Sequence, residues 1–228
     1  MCGRYSLKRS DFATYEEWMN YRKSQYDEVH SNPIFNAAPT MSLPVIRREG
    51  NRLFTDWMRW GLLQPWNKTR SDAYKTFNAR SETLLEKPTW KKPFASQRCL
   101  VIADGFYEWK TSGKSKQPYR VCLKNRDQFA MAGLFNGWTD PETGEFLSTF
   151  SIVTTAANDF MKPLHDRMPV ILPDEAHDAW LGSQPGSDLL HLLVPFPGDQ
   201  LDMFPVTPAI GKVSYQEPDS VLPLTQLL

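Results

Sequence analysis

Cysteine is scarce in this chain: Cys2, Cys99 and Cys122 are the whole complement of 228 residues. Three scattered thiols exclude a disulfide framework, and no Cys-x-x-Cys pair or His–Cys cluster offers a metal site, so reduced thiols and no metal or other cofactor are expected. Long apolar runs are missing as well. Cys99-Leu100-Val101-Ile102-Ala103 is the longest with any weight, far below the ~20 residues that a membrane-spanning helix needs. The start lacks the basic-then-apolar pattern of a secretory leader. These absences predict a soluble, cytoplasmic protein with no membrane partner. No repeat and no linker divides the chain, which predicts one domain over residues 1–228, and no long apolar docking helix argues against a monomer.

Net charge is also absent, since 26 Lys and Arg meet 26 Asp and Glu, yet the balance is uneven along the chain. Residues 86–126 carry 10 basic against 3 acidic side chains, whereas residues 127–228 carry 3 against 14. Two readings stand: the acidic segment folds back onto the basic one, or a basic face stays open for a polyanion such as nucleic acid.

Strand signals outnumber helix signals. β-Branched and aromatic residues predict strands in Ser42 to Arg48, Leu53 to Trp60, Cys99 to Ala103, Phe106 to Lys110, Gln117 to Lys124, Phe129 to Phe135 and Phe150 to Thr155. Phe12, Tyr15 and Met19 fall on one face of an amphipathic helix over residues 10–26, with Ser10 and Asp11 as candidate caps. Further short helices are expected from Pro173 to Gly182, near Ser187 and over Ser81 to Glu86. The pattern suits an α+β domain with a curved, largely antiparallel, barrel-like sheet and peripheral helices.

The chemistry starts at residue 2. A small residue there allows Met1 to be trimmed, which leaves a cysteine whose α-amino group lies beside its thiol. An α-amino group is roughly 10–15% neutral at pH 7, against about 0.04% for a lysine, and is the better nucleophile toward an aldehyde. Once an imine has formed, the thiol can add to its carbon and close a five-membered thiazolidine ring. The competing reading is that Cys2 is merely the second residue.

Further motifs bear on that choice. They are Met1-Cys2-Gly3-Arg4-Tyr5, Phe35-Asn36-Ala37-Ala38-Pro39-Thr40, Trp60-Gly61-Leu62 with Pro65-Trp66, Asn78-Ala79-Arg80-Ser81-Glu82-Thr83, Ala103-Asp104-Gly105-Phe106-Tyr107-Glu108-Trp109, and His165-Asp166-Arg167-Met168-Pro169. In order and spacing they resemble the SRAP family, the SOS-response-associated peptidases or abasic-site processing proteins, most strongly over residues 1–173. The resemblance implies one compact β-rich domain and covalent capture of abasic sites in single-stranded DNA as part of the response to DNA damage. A peptidase-like activity, including removal of Met1, belongs to the same implication, as does a nucleoid association if the source is bacterial.

Each motif also has its own physical reading. An extended Asn78-Ala79-Arg80 puts Asn78 and Arg80 on one face, so Arg80 could hold a phosphate while Asn78 bonds an opened sugar or the Cys2 amine. Alternatively, Asn78 caps a following helix. Glu108, in an aromatic setting, suits a proton donor and acceptor for imine formation; its alternative is a solvated strand glutamate paired with Lys110 or Arg98. His165 can shuttle a proton near neutrality or be a turn histidine held by Asp166. DNA is expected at Arg4, Asn36, Pro39, Arg80, Arg167 and lysines between 87 and 116, with Trp60 and Trp66 either stacking on unpaired bases or packing in the core, Trp66 being the better candidate for exposure. Two other classes remain open: an N-terminal-nucleophile amidotransferase, which the missing glutamine-binding motifs disfavour, and a non-covalent single-strand-binding module.

Overall fold

The computed structural model describes residues 2–24, 33–113, 115–125 and 128–224. In chain order the elements are β1 (Tyr5–Leu7), α1 (Tyr15–Ser24), β2 (Ile34–Ala37), β3 (Ser42–Glu49), β4 (Arg52–Trp60), β5 (Asn78–Arg80), α2 (Pro88–Ser96), β6 (Arg98–Ala103), β7 (Gly105–Ser112) and β8 (Ser115–Leu123). There follow β9 (Phe129–Thr139), β10 (Phe146–Ala156), β11 (Arg167–Pro169), β12 (Ile171–Leu172), α3 (His177–Leu181) and β13 (Leu201–Pro205), with short 3-10 turns between them.

The strands form an eight-stranded and a five-stranded sheet. In the larger one, β10 pairs with β9 and with β4, so the path β4, β3, β6, β9, β10 closes on itself. Closure removes the exposed edges that a flat sheet would leave. The smaller sheet runs β13, β8, β7, β1, β2 and is antiparallel throughout. The expected α+β, largely antiparallel and barrel-like fold is therefore the one observed; among the described strands only β10 makes parallel pairs, with β4 and with β5.

Strand β6 shows why its sequence is apolar without alternation. Cys99, Val101 and Ala103 join one core with Tyr5, Trp60 and Phe150, while Leu100 and Ile102 join a second with Trp18, Trp90 and Trp180. Both faces are buried, so neither needs polar residues. All three helices contribute to the second core, and among the described residues no helix is long and apolar enough to cross a membrane.

Several expectations shift. Helix α1 begins at Tyr15 rather than residue 10, because Thr14 bridges to Phe54 and its hydroxyl accepts the Glu17 N–H at 3.2 Å, while Ser10 is buried and Asp11 pairs with Arg9. Residues 25 and 26 of that expectation lie outside the described residues. The segment near Ser187 is a 3-10 stretch, Gly186–Leu192, and Ser81–Thr83 is a single 3-10 turn. Helix α2 was not legible from periodicity because Pro93 lies inside it; Pro88 opens it, and Trp90 and Phe94, four apart, anchor it. As for charge, Lys87, Lys91, Lys92, Lys110 and Lys116 are exposed and ion-paired with no described residue. These five lysines stay open.

One buried ion pair ties the small sheet together. Arg120 of β8 donates to Asp104 at 2.6 Å, both nearly inaccessible, and Ser6 of β1 donates to the same carboxylate at 2.5 Å. The Lys8 N–H takes its second oxygen. Gly105 leaves room for this, since a Cβ there would lie 2.7 Å from the guanidinium. Removing one partner strands a buried charge, at a cost of about 3–5 kcal/mol. Urea unfolding of Asp104→Asn is expected to show a loss of that order, and a loss below about 1 kcal/mol would contradict this account of the sheet.

Candidate active site

The N-terminal segment carries Cys2 into the core between the two sheets, where the residue is fully buried with Tyr5, Trp60, Phe106, Phe150 and Met168. Two contacts fix it there. Its thiol lies 3.9 Å from the Arg4 carbonyl, and the Asn78 side-chain amide donates to the Cys2 carbonyl at 2.8 Å. Asn78 can reach because β5 is extended and pairs in parallel with β10, Asn78 lying opposite Ile152. Thus Asn78 holds the Cys2 backbone and caps no helix. Its Oδ1 is buried without a hydrogen-bond partner among the described residues, leaving one acceptor inside the site.

Glu108 comes from β7 and is only 5% exposed, which excludes the solvated-strand alternative. The Arg98 guanidinium is engaged elsewhere, by the carbonyls of Trp180, Phe94, Ala95, Gly182 and Gln184. Burial raises the Glu108 carboxyl above its ordinary value, and the Asp166 carboxylate pushes the same way. Burial also raises the Cys2 thiol far above the usual range, with the nearby Glu108 charge adding to it. Cys2, Asn78, Glu108 and the Asp166 end of the His165 motif thus share one neighbourhood.

His165 is half-buried, and desolvation lowers its imidazole below the ordinary value, favouring the neutral ring. Its Nδ1 accepts the Arg167 backbone N–H at 2.9 Å, which assigns the ring proton to Nε2. Asp166 Oδ1 lies 2.8 Å from the same Nδ1, so a protonated ring exchanges that acceptor bond for an ion pair.

The residues expected to hold DNA divide. Arg80 is exposed, and its guanidinium has no partner among the described residues. Trp66 is 60% exposed, and Pro39 is half-buried beside Thr40, whose backbone is left-handed at φ 80°. Arg167 is already held by Glu82 through bonds of 2.5 and 2.9 Å, and Arg4 donates to Asn36 Oδ1 at 2.8 Å and Ile210 O at 2.7 Å. Asn36 and Trp60 are placed differently from the expectation. Asn36 is fully buried and donates to the carbonyls of Ile210, Lys212 and Tyr215, strapping the C-terminal segment to β2. Trp60 is also fully buried, stacked on Phe150 with its indole N–H on the Phe77 carbonyl, and offers no face to a base. Glu82 and the 61%-exposed Tyr74 were missed. Glu82 stands in a recognised motif, but nothing in its spacing points to Arg167, and no pattern marks Tyr74 as exposed.

A closed β ring thus encloses a cysteine near the chain start, with Asn78 bonded to its carbonyl and a buried glutamate beside it. Residues 1–213 match the family described as SOS response associated peptidase (SRAP), and the chain belongs to that family. It is 39% identical over 224 residues to the abasic site processing protein YoqW of Bacillus subtilis, covering 97% of this chain and 99% of that one. It is 31% identical over 235 residues to the abasic site processing protein HMCES of Xenopus tropicalis, covering 89% and 69% respectively. A crystal structure of a Bacteroides thetaiotaomicron protein superposes with a TM-score of 0.80 at 28% identity, covering 97% of this chain and 99% of that one.

The raised Glu108 carboxyl has a measurable consequence. The folded protein keeps this proton to a higher pH than the unfolded chain does, so its ionisation lowers stability as pH rises from about 4.3 through the folded value. Glu108→Gln is expected to leave the melting temperature unchanged below pH 4 and to raise it by about 2–4 °C near pH 7. Equal melting curves at both pH values would contradict the burial cost.

Proposed function

We propose that this protein captures abasic sites in single-stranded DNA covalently, through Cys2 after Met1 has been removed. The observation that carries the reading is the Asn78 grip on Cys2 with Glu108 buried beside it. The names of the relatives, abasic site processing proteins, support the same target. Removal of Met1 by the protein itself is the form in which the family's peptidase-like activity fits this site.

The free Cys2 amine attacks the aldehyde carbon of the ring-opened sugar and forms a carbinolamine. Glu108, whose burial favours its protonated form, donates a proton to the departing hydroxyl; water leaves and the C=N bond forms. The Cys2 S–H then adds across that bond: sulfur joins the former aldehyde carbon, the proton goes to nitrogen, and the ring closes. One water is lost overall. Because burial keeps the thiol neutral, the amine reacts first and the sulfur acts only once the imine is held against it. Asn78 Oδ1 accepts from the sugar hydroxyl or the amine, and His165 moves a proton at the sugar, which gives the site its lyase-like capacity. Arg80 supplies the first phosphate contact, with Arg4 and Arg167 behind it, and Pro39 and Trp66 meet the bases.

A denaturing gel with single-stranded DNA containing one abasic site tests this. Wild type should give a shifted band that Cys2→Ala and a form retaining Met1 do not, and Glu108→Gln should slow its appearance about 100-fold. Equal bands from Cys2→Ala would overturn the assignment, and retention seen only on native gels would indicate simple binding.

A further inference from the structure

On the far side of the Pro39–Thr40 corner lies a groove that the proposed reaction does not use. It encloses about 350 Å³ between Thr40, Ser42, Trp57, Arg59 and Phe146, within the ~300–1,000 Å³ range of small-ligand sites. Trp57 and Arg59 stand two apart on β4 and so face the same way, and Ser42 of β3 lies opposite Arg59. Phe146, at the start of β10, lies over Gly137, where a Cβ would come within 2.8 Å of its ring. Trp57 is 49% exposed and Phe146 65%, two large aromatic surfaces bordering one groove.

The charge of the groove is equally specific. Arg59 Nη1 donates to the Thr40 carbonyl at 2.7 Å, which fixes the guanidinium, while its Nε is buried with no acceptor and no carboxylate pairs with it among the described residues. Arg70, on the other wall, is already neutralised by Asp140 at 3.2 Å and Glu145 at 2.6 Å. A fixed, unpaired guanidinium between two open aromatic rings fits a phosphate joined to a flat heterocycle. The groove is also tied to the candidate site through the backbone. The Thr40 N–H donates to the Trp60 carbonyl at 2.8 Å, the Trp60 indole donates to the Phe77 carbonyl at 2.8 Å, and Phe77 precedes the Asn78 that grips Cys2.

We propose that this groove is a flanking-nucleotide subsite. It takes one nucleotide of the DNA strand that carries the abasic site, its base against Trp57 and Phe146 and its phosphate on Arg59. This assignment rests on the reading of the protein as one that binds abasic single-stranded DNA. Because a strand has two flanks and a single groove holds one nucleotide, the subsite should add affinity on one flank only.

Fluorescence anisotropy with three oligonucleotides tests it: one extended on both sides of a reduced, unreactive abasic residue, one ending there on the 5′ side and one on the 3′ side. Base stacking of ~1–3 kcal/mol corresponds to a loss of about 5- to 150-fold in affinity. Trp57→Ala and Phe146→Ser, both at exposed positions, should each weaken binding by at least 5-fold for the two oligonucleotides that keep one particular flank. Neither should affect the one that lacks it. Arg59→Gln should act on the same flank and lower the salt dependence. Unchanged affinities, or an equal loss on all three oligonucleotides, would overturn the subsite. If wild type shows the one-sided dependence but no covalent band with reactive abasic DNA, the subsite stands and the covalent reading fails.

Discussion

The pairing of β10 is the constraint on which the rest of the structure depends. This strand bonds β9 and β4 to close the ring, carries β5 in parallel at Ile152–Thr154, and receives β11 antiparallel at Thr154–Ala156. Asn78 and Arg80 on β5 and Arg167 on β11 therefore take their places from one strand, although up to 89 residues separate them in sequence. The small sheet adds Glu108 from β7, and the Asp104–Arg120 pair holds β1, just after Cys2, against it. A site assembled from two sheets is as rigid as their junction. That is where reacting groups must be held if they are to meet at bonding distance.

Burial then sets the state of the titratable groups beside Cys2. A thiol on the surface would ionise and oxidise readily; Cys2 is enclosed and its thiol kept protonated. The same desolvation that holds the thiol neutral keeps a proton on Glu108 to higher pH than usual. Burial thus favours the neutral form of both groups. Burying Glu108 costs stability, because its carboxylate is desolvated there.

Much of the fold was legible because local rules and tertiary structure agree. The strands from Ser42 to Arg48 and from Leu53 to Trp60 announce themselves through β-branched and aromatic residues and appear as β3 and β4. The three-residue strands β1, β5 and β11 carry no such signal, being strands only because β7 and β10 supply their partners. Site residues follow a similar division. Cys2, Asn78, Glu108 and His165 stand out through chemistry and motif, whereas the buried roles of Asn36 and Trp60 are set by the C-terminal segment and by Phe150, contacts that no local pattern encodes. Exposure is likewise a tertiary property, which is why nothing in the sequence marks Trp57 or Tyr74 as exposed.

Intact-mass spectrometry of the protein, before and after incubation with abasic single-stranded DNA and without any reducing agent, tests the central claim most directly. The account predicts a free protein lacking Met1, and a heat-stable adduct whose mass is the sum of that protein and the DNA less one water, absent from Cys2→Ala. A free protein that keeps Met1 and still forms the adduct, or an adduct that appears only after borohydride reduction, would contradict the thiazolidine.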